Sequence, residues 1–127
     1  MTTTQESLER YAAKLLFQYR VVTKGASNKR RLCEERIVIV QAETARHALA
    51  LAKDVGRKAQ HSYKNGLGGK VNFQFVGVLD LLHLGVECEE NEVWYDITER
   101  LMPMERRRKI VPPEHKLNAI AQEIVRA

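Results

Sequence analysis

Residues 11–22 read YAAKLLFQYRVV, and the alternation within this stretch decides the fold. Tyr11, Ala13, Leu15, Phe17, Tyr19 and Val21 occupy the odd positions, while the even ones include Lys14, Gln18 and Arg20. Successive side chains of a strand point to opposite faces, so this pattern predicts a strand with one buried and one mostly polar face. Working outward, Lys24–Arg31 (KGASNKRR) mixes Gly, Ser and Asn with four basic residues and reads as a solvated hairpin loop. A second strand is expected from Leu32 to Ala42, where Ile37-Val38-Ile39-Val40 supplies the β-branched centre.

At Glu43-Thr44 the period changes. Thr44 fits an N-cap, and Ala45, Ala48, Leu49, Ala52, Gly56 and Ala59 fall on one helical stripe. Nearly all of these are small, so the stripe reads as a surface for close packing against a sheet. The helix is expected to run to about Tyr63, stopped by Asn65, Gly66, Gly68 and Gly69. Val71–Leu84 forms a long third strand in which Gly77 marks a bulge or a close backbone approach. An acidic turn follows over Gly85–Asn91, and a fourth strand is expected over Val93–Leu101. Pro103, Pro112 and Pro113 bracket a basic connector, and a short helix over Glu114–Arg126 carries Leu117, Ile120, Ala121 and Ile124 on one side.

The fold class expected is α+β: a four-stranded, mainly antiparallel β-β-α-β-β sheet, with one long helix on one face and a short C-terminal helix. Hairpin pairing of strands one with two and three with four gives the order 2-1-3-4. The division expected is a single domain over 1–101, a basic, proline-bracketed connector over 102–113 and an amphipathic helix over 114–127. The length of 127 residues, 44% of them hydrophobic, suits one core and excludes general disorder. The longest apolar runs are far too short to cross a bilayer, so no membrane is expected. The opening MTTTQESLER lacks the basic-then-apolar pattern of a signal peptide, and a cytoplasmic location is the expectation.

The second sheet face is expected to carry Leu16, Val22, Val38, Val40, Val76, Val78, Leu82, Leu84 and Trp94 among polar residues. A half-apolar face left bare is rare in a soluble monomer, so the C-terminal helix or another chain should cover it. The residues assigned to a protein-binding surface are Leu16, Val38, Val40, Val78, Leu82 and Trp94 on the sheet. Leu117, Ile120 and Ile124 extend that assignment onto the helix.

Net charge is +5, and its distribution is uneven. Residues 71–101 hold one basic and seven acidic side chains, whereas the other segments are all net basic. Tracing the strands up and down brings the Lys24–Arg31 loop, the Lys64–Lys70 loop and Arg106–Lys109 to one end, with the Glu87–Glu92 turn at the other. Such a basic cluster concentrates polyanions. The nucleic-acid-binding residues of this alternative are Lys29, Arg30, Arg31, Lys70, Arg106, Arg107 and Arg108. Charge runs are also commonly just solvated loops.

The sequence makes no case for catalysis, and neither a metal nor a cofactor is implied. His47 and His61 lie fourteen residues apart, roughly four turns of the expected helix, and cannot share a ligand. Cys88 stands in an acidic turn that raises a thiol pKa, and Cys33, though near arginines, has no nameable base. Gly66-Leu67-Gly68-Gly69-Lys70 lacks the spacing, the Ser/Thr and the following helix of a phosphate loop. Glu87, Glu89, Glu90 and Glu92 lack the Asx ligands and central glycine of a calcium loop.

Four segments occurring in order, YAAKLLF (11–17), EERIVIVQAETARHALALA (34–52), FVGVLDLLHL (75–84) and EVWY (92–95), resemble a bacterial family of small proteins known only as a domain of unknown function. The resemblance covers about residues 11–101, implies a bacterial intracellular protein and assigns no catalytic residues. The expected function is a non-catalytic protein-binding module, in one version an immunity or inhibitor protein that blocks a bacterial toxin or other effector. The expected partner is therefore another protein or a second copy in a homodimer. Nucleic acid bound at the basic end is the alternative, although no aromatic is interleaved with those basic residues and no helix-turn-helix or ribonucleoprotein motif is visible.

Overall fold

A computed structural model describes residues 8–85 and 91–126. The chain divides into two compact units between Tyr95 and Asp96. In the first, β1 (Glu9–Thr23), β2 (Ala26–Ser27), β3 (Cys33–Ala42), α1 (Ala45–Ala59), β4 (His61–Lys64) and β5 (Lys70–His83) follow one another in the chain. All strand pairings are antiparallel, and the five strands form one sheet. β1 is central: β5 runs along one edge, β3 along residues 9–18 of the other, and β2 completes that edge at Val22–Thr23. β4 lies beyond β5. The sequence-based order 2-1-3 thus appears as β3-β1-β5.

β1 takes the centre because its odd face can be buried along its whole length. Ala13, Leu15 and Phe17 are fully buried, and with Ala52 and Phe73 they form the main core. Phe17 stacks on Phe73 with ring centroids 4.7 Å apart. α1 lies over this face and presents Ala48, Ala52 and Gly56 to it, the small-residue stripe visible in the sequence. Thr44 caps the helix, its hydroxyl accepting from the His47 amide at 3.1 Å. On β5 the register with β1 slips twice, passing over Leu79 and Val76, so two bulges flank Gly77.

Three expectations need correction. First, α1 ends at Ala59 and His61 is not on it: Gln60 turns extended, and His61–Lys64 becomes strand β4. The free edge of β5 offers backbone groups that β4 satisfies, and the Gln60 side-chain carbonyl adds an acceptor for the Phe75 amide at 3.0 Å. The Asn65–Gly69 segment is consequently a β4–β5 hairpin turn. Asn65 accepts from the Leu67 and Gly69 amides, and Gly68 adopts φ +80°. Second, residues 93–101 form no strand. β4 already holds the edge of β5 that this segment would have taken. Third, the helix expected over 114–126 is divided into a 3₁₀ turn at Glu114–Lys116 and a nine-residue helix.

The second unit contains a one-turn helix α2 (Arg107–Ile110), the 3₁₀ turn and α3 (Asn118–Arg126). Its described residues include no buried side chain. Among all described residues, no helix is long and apolar enough to cross a membrane.

Candidate functional site

The face of the sheet opposite α1 is built by the even positions of β1 and whatever stands beside them. Register places Gln41, Ile39, Ile37, Glu35 and Cys33 of β3 next to Arg10, Ala12, Lys14, Leu16 and Gln18. On the other side, Leu82, Asp80, Gly77, Gln74, Asn72 and Lys70 of β5 stand next to Ala12, Lys14, Leu16, Gln18, Arg20 and Val22. Ser62 and Lys64 of β4 extend the rows of Asn72 and Lys70. The face therefore has two halves of different chemistry.

One half carries the apolar side chains Ala12, Leu16, Ile37, Ile39, Leu82 and Leu84, interleaved with the charged Arg10, Lys14, Glu35 and Asp80. Ala12 and Leu84 are buried although α1 lies on the other side. The chain returns across this half, where Arg10 donates to the Glu92 carbonyl at 2.7 Å and Lys14 Nζ lies 4.8 Å from the Trp94 ring centroid. Ile37 and Ile39 remain 42% and 41% exposed beside that covering.

The other half is polar and basic. Arg31 donates from Nη1 to the Gln18 side-chain carbonyl at 3.1 Å, and Gln18 Nε2 in turn donates to Gln74 Oε1 at 2.9 Å. Arg31 also donates from Nε to the Asn28 carbonyl at 2.8 Å, which ties the 24–32 loop to the sheet. One row further on, Ser62 donates to Asn72 Oδ1 at 2.6 Å. Arg20 stands directly beside Asn72, and its Nε is sealed from solvent without a hydrogen-bond partner. A buried donor left unmade costs about 1–3 kcal/mol. Lys64 and Lys70 face each other across β4 and β5, an arrangement of like charges that destabilises a sheet pair. A pocket lined by Val22, Ser62, Tyr63, Lys64, Asn65 and Lys70 opens at this end.

The expected surface residues fall in different places. Leu16 and Leu82 are half-buried on the open face, and Trp94 lies over Lys14. Val38, Val40 and Val78 do not belong to that face: they stand beside Ala13, Tyr11 and Leu15 and pack against the core under α1. Ile37–Val40 is apolar on both faces, and only the register with β1 decides which pair points inward. Leu117, Ile120 and Ile124 are exposed in the second unit. Glu34 and Arg36 form an ion pair at 2.6 Å on the α1 side, with the Arg36 guanidinium 4.7 Å above the Phe17 ring.

Lys29 and Arg30 are exposed in the β2–β3 loop, and Arg31 anchors that loop. Lys70 stands beside Val22, so the 24–31 and 64–70 loops meet at one end of β1. Arg106, Arg107 and Arg108 are exposed in the second unit around α2. Cys88 and the acidic residues Glu87, Glu89 and Glu90 lie outside the described residues. Among the described residues no group of three or more His, Cys, Asp or Glu is placed to hold a metal ion.

Nothing in the sequence marks Asn72, Gln74 or Ser62 as site residues, and Lys64 stands out only as the start of a basic loop. Gln18 and Arg20 are visible as polar positions in β1, but their neighbours on β5 lie more than fifty residues later in the chain. No curated protein and no solved structure matches the chain. Residues 10–94, the sheet, the helix and the segment returning over the open face, match one family, and the chain belongs to it: the domain of unknown function DUF4288.

Proposed function

We propose that this protein is a non-catalytic binding module that holds a nucleic acid on the basic half of its open sheet face. One observation carries the reading: the Lys24–Arg31 loop and the Lys64–Lys70 hairpin meet at the end of the sheet where Arg20 and Arg31 project among neutral amides. No carboxylate occupies the paired rows from Gln18 to Val22 on that face. Contacts of this kind are directed mainly to phosphates and weaken steeply with salt.

The test is anisotropy of a labelled oligothymidylate titrated with the full chain. Binding is expected to fall sharply between about 50 and 200 mM salt. Replacing Lys29, Arg30 and Lys70 together with glutamine should lower both the affinity and the salt slope. Binding absent at low salt, or unchanged by those replacements, overturns the reading.

A second reading, a protein partner of the immunity or inhibitor kind or a second copy of the chain, is supported by the exposed Ile37 and Ile39 on the apolar half. It predicts that Ile37→Lys abolishes partner binding or self-association while leaving oligonucleotide affinity intact.

A further inference from the structure

We infer that Arg20, Asn72 and Gln74 form a dedicated seat for a single phosphate group, with Arg31 and Gln18 as positioning residues. The inference rests on the nucleic-acid reading for its biological ligand, though the seat is defined by its own chemistry. Hydrogen bonding within the polar half runs in one direction. Arg31 has no acceptor to offer, so the Gln18 carbonyl must face it, and the Gln18 NH2 must face the Gln74 carbonyl. That fixes the Gln74 amide with its NH2 outside the relay. Ser62 donates to Asn72 Oδ1, and in this arrangement the Asn72 NH2 lies outside the pair.

Asn72 stands directly beside Arg20, and Gln74 lies one row away on the same face. The seat thus combines two amide donors with one guanidinium. Arg20 is the one residue of the relay's surroundings whose Nε is both buried and unpaired, while its Nη groups are not sealed in the same way. Donors without acceptors, gathered around a cation, are complementary to an oxyanion. The tetrahedral oxygens of a phosphate group suit it better than a planar carboxylate, since more than one donor direction must be met. The like-charged Lys64–Lys70 pair on the neighbouring row adds field of the same sign.

The test uses inorganic phosphate and the labelled oligothymidylate on the full chain. Phosphate is titrated while the arginine Nε–H and the Asn and Gln side-chain amide signals are followed by NMR. The expected result is a saturable shift of Arg20, Asn72 and Gln74, ahead of the loop arginines. Arg20→Met should abolish it, Arg20→Lys should keep the fold and weaken it, and Gln18→Met should weaken it with Arg20 still charged. With oligothymidylate, Arg20→Met should reduce the slope of log affinity against log salt by about 0.7, the share of one phosphate on a single strand. Arginine signals that all drift together without saturation overturn the seat, even if the oligonucleotide binds. A saturable Arg20 response with no oligonucleotide binding sustains the seat and removes the nucleic-acid reading.

Discussion

Gly56 shows how little room separates helix from sheet. A Cβ built there would stand 2.5 Å from the Phe75 ring, on a ring that tilts against Phe17 in the core. Alanine is the better helix former by about 1 kcal/mol, yet the collision should outweigh that gain. Gly56→Ala is expected to destabilise the protein by about 1–3 kcal/mol, read as a lower urea midpoint with an unchanged slope. An unchanged midpoint would mean that α1 can lift from Phe75 at no cost. On the opposite face, the unpaired Arg20 and the facing lysines Lys64 and Lys70 are local losses that the packing under α1 does not require. Residues that cost stability without serving the core are where a ligand is best sought.

At the scale of elements, α1 depends on its start more than on its end. Thr44 meets the His47 amide, whereas the helix stops at Gln60 because the chain is drawn onto the edge of β5. Thr44→Ala should therefore cost about 0.5–2 kcal/mol in thermal or urea unfolding. Thr44→Asn, which restores an acceptor, should recover most of it. β5 carries the sharpest local irregularity, two bulges within four residues. Bulges bend a strand and raise its twist, and here the second of them, between the Leu16 and Gln18 rows, lies where the apolar and polar halves of the open face meet. The division of that face into two chemistries thus coincides with a change in strand geometry.

For the whole molecule, every described buried apolar side chain lies between Tyr11 and Leu84. A chain ending at Tyr95 retains all of them, together with the segment that meets Arg10 and Lys14. Such a truncation is expected to unfold cooperatively, with a urea midpoint close to that of the full chain. Loss of cooperative unfolding would show that the second unit is needed for the first to fold. The same truncation should retain the phosphate response of Arg20, because all members of the seat lie within residues 18–74.

The sequence alone determined the elements whose signal is periodic and local. The alternation of Tyr11–Val21 specified the central strand, the small stripe with Thr44 specified α1 and its start, and Gly77 pointed to irregularity in β5. Of the three basic segments it placed at one end, the 24–31 and 64–70 loops do meet there, since antiparallel strands return each loop to a known side. Tertiary structure decided what periodicity leaves open. Ile37–Val40 is apolar throughout, so only pairing with β1 turned Val38 and Val40 inward and Ile37 and Ile39 outward. His61–Lys64 became a strand because β5 had a free edge, and residues 93–95 crossed a face instead of joining the sheet. The candidate seat belongs to the same class. Arg20, Asn72 and Gln74 are unremarkable singly, and hydrogen-bonded register alone makes them neighbours.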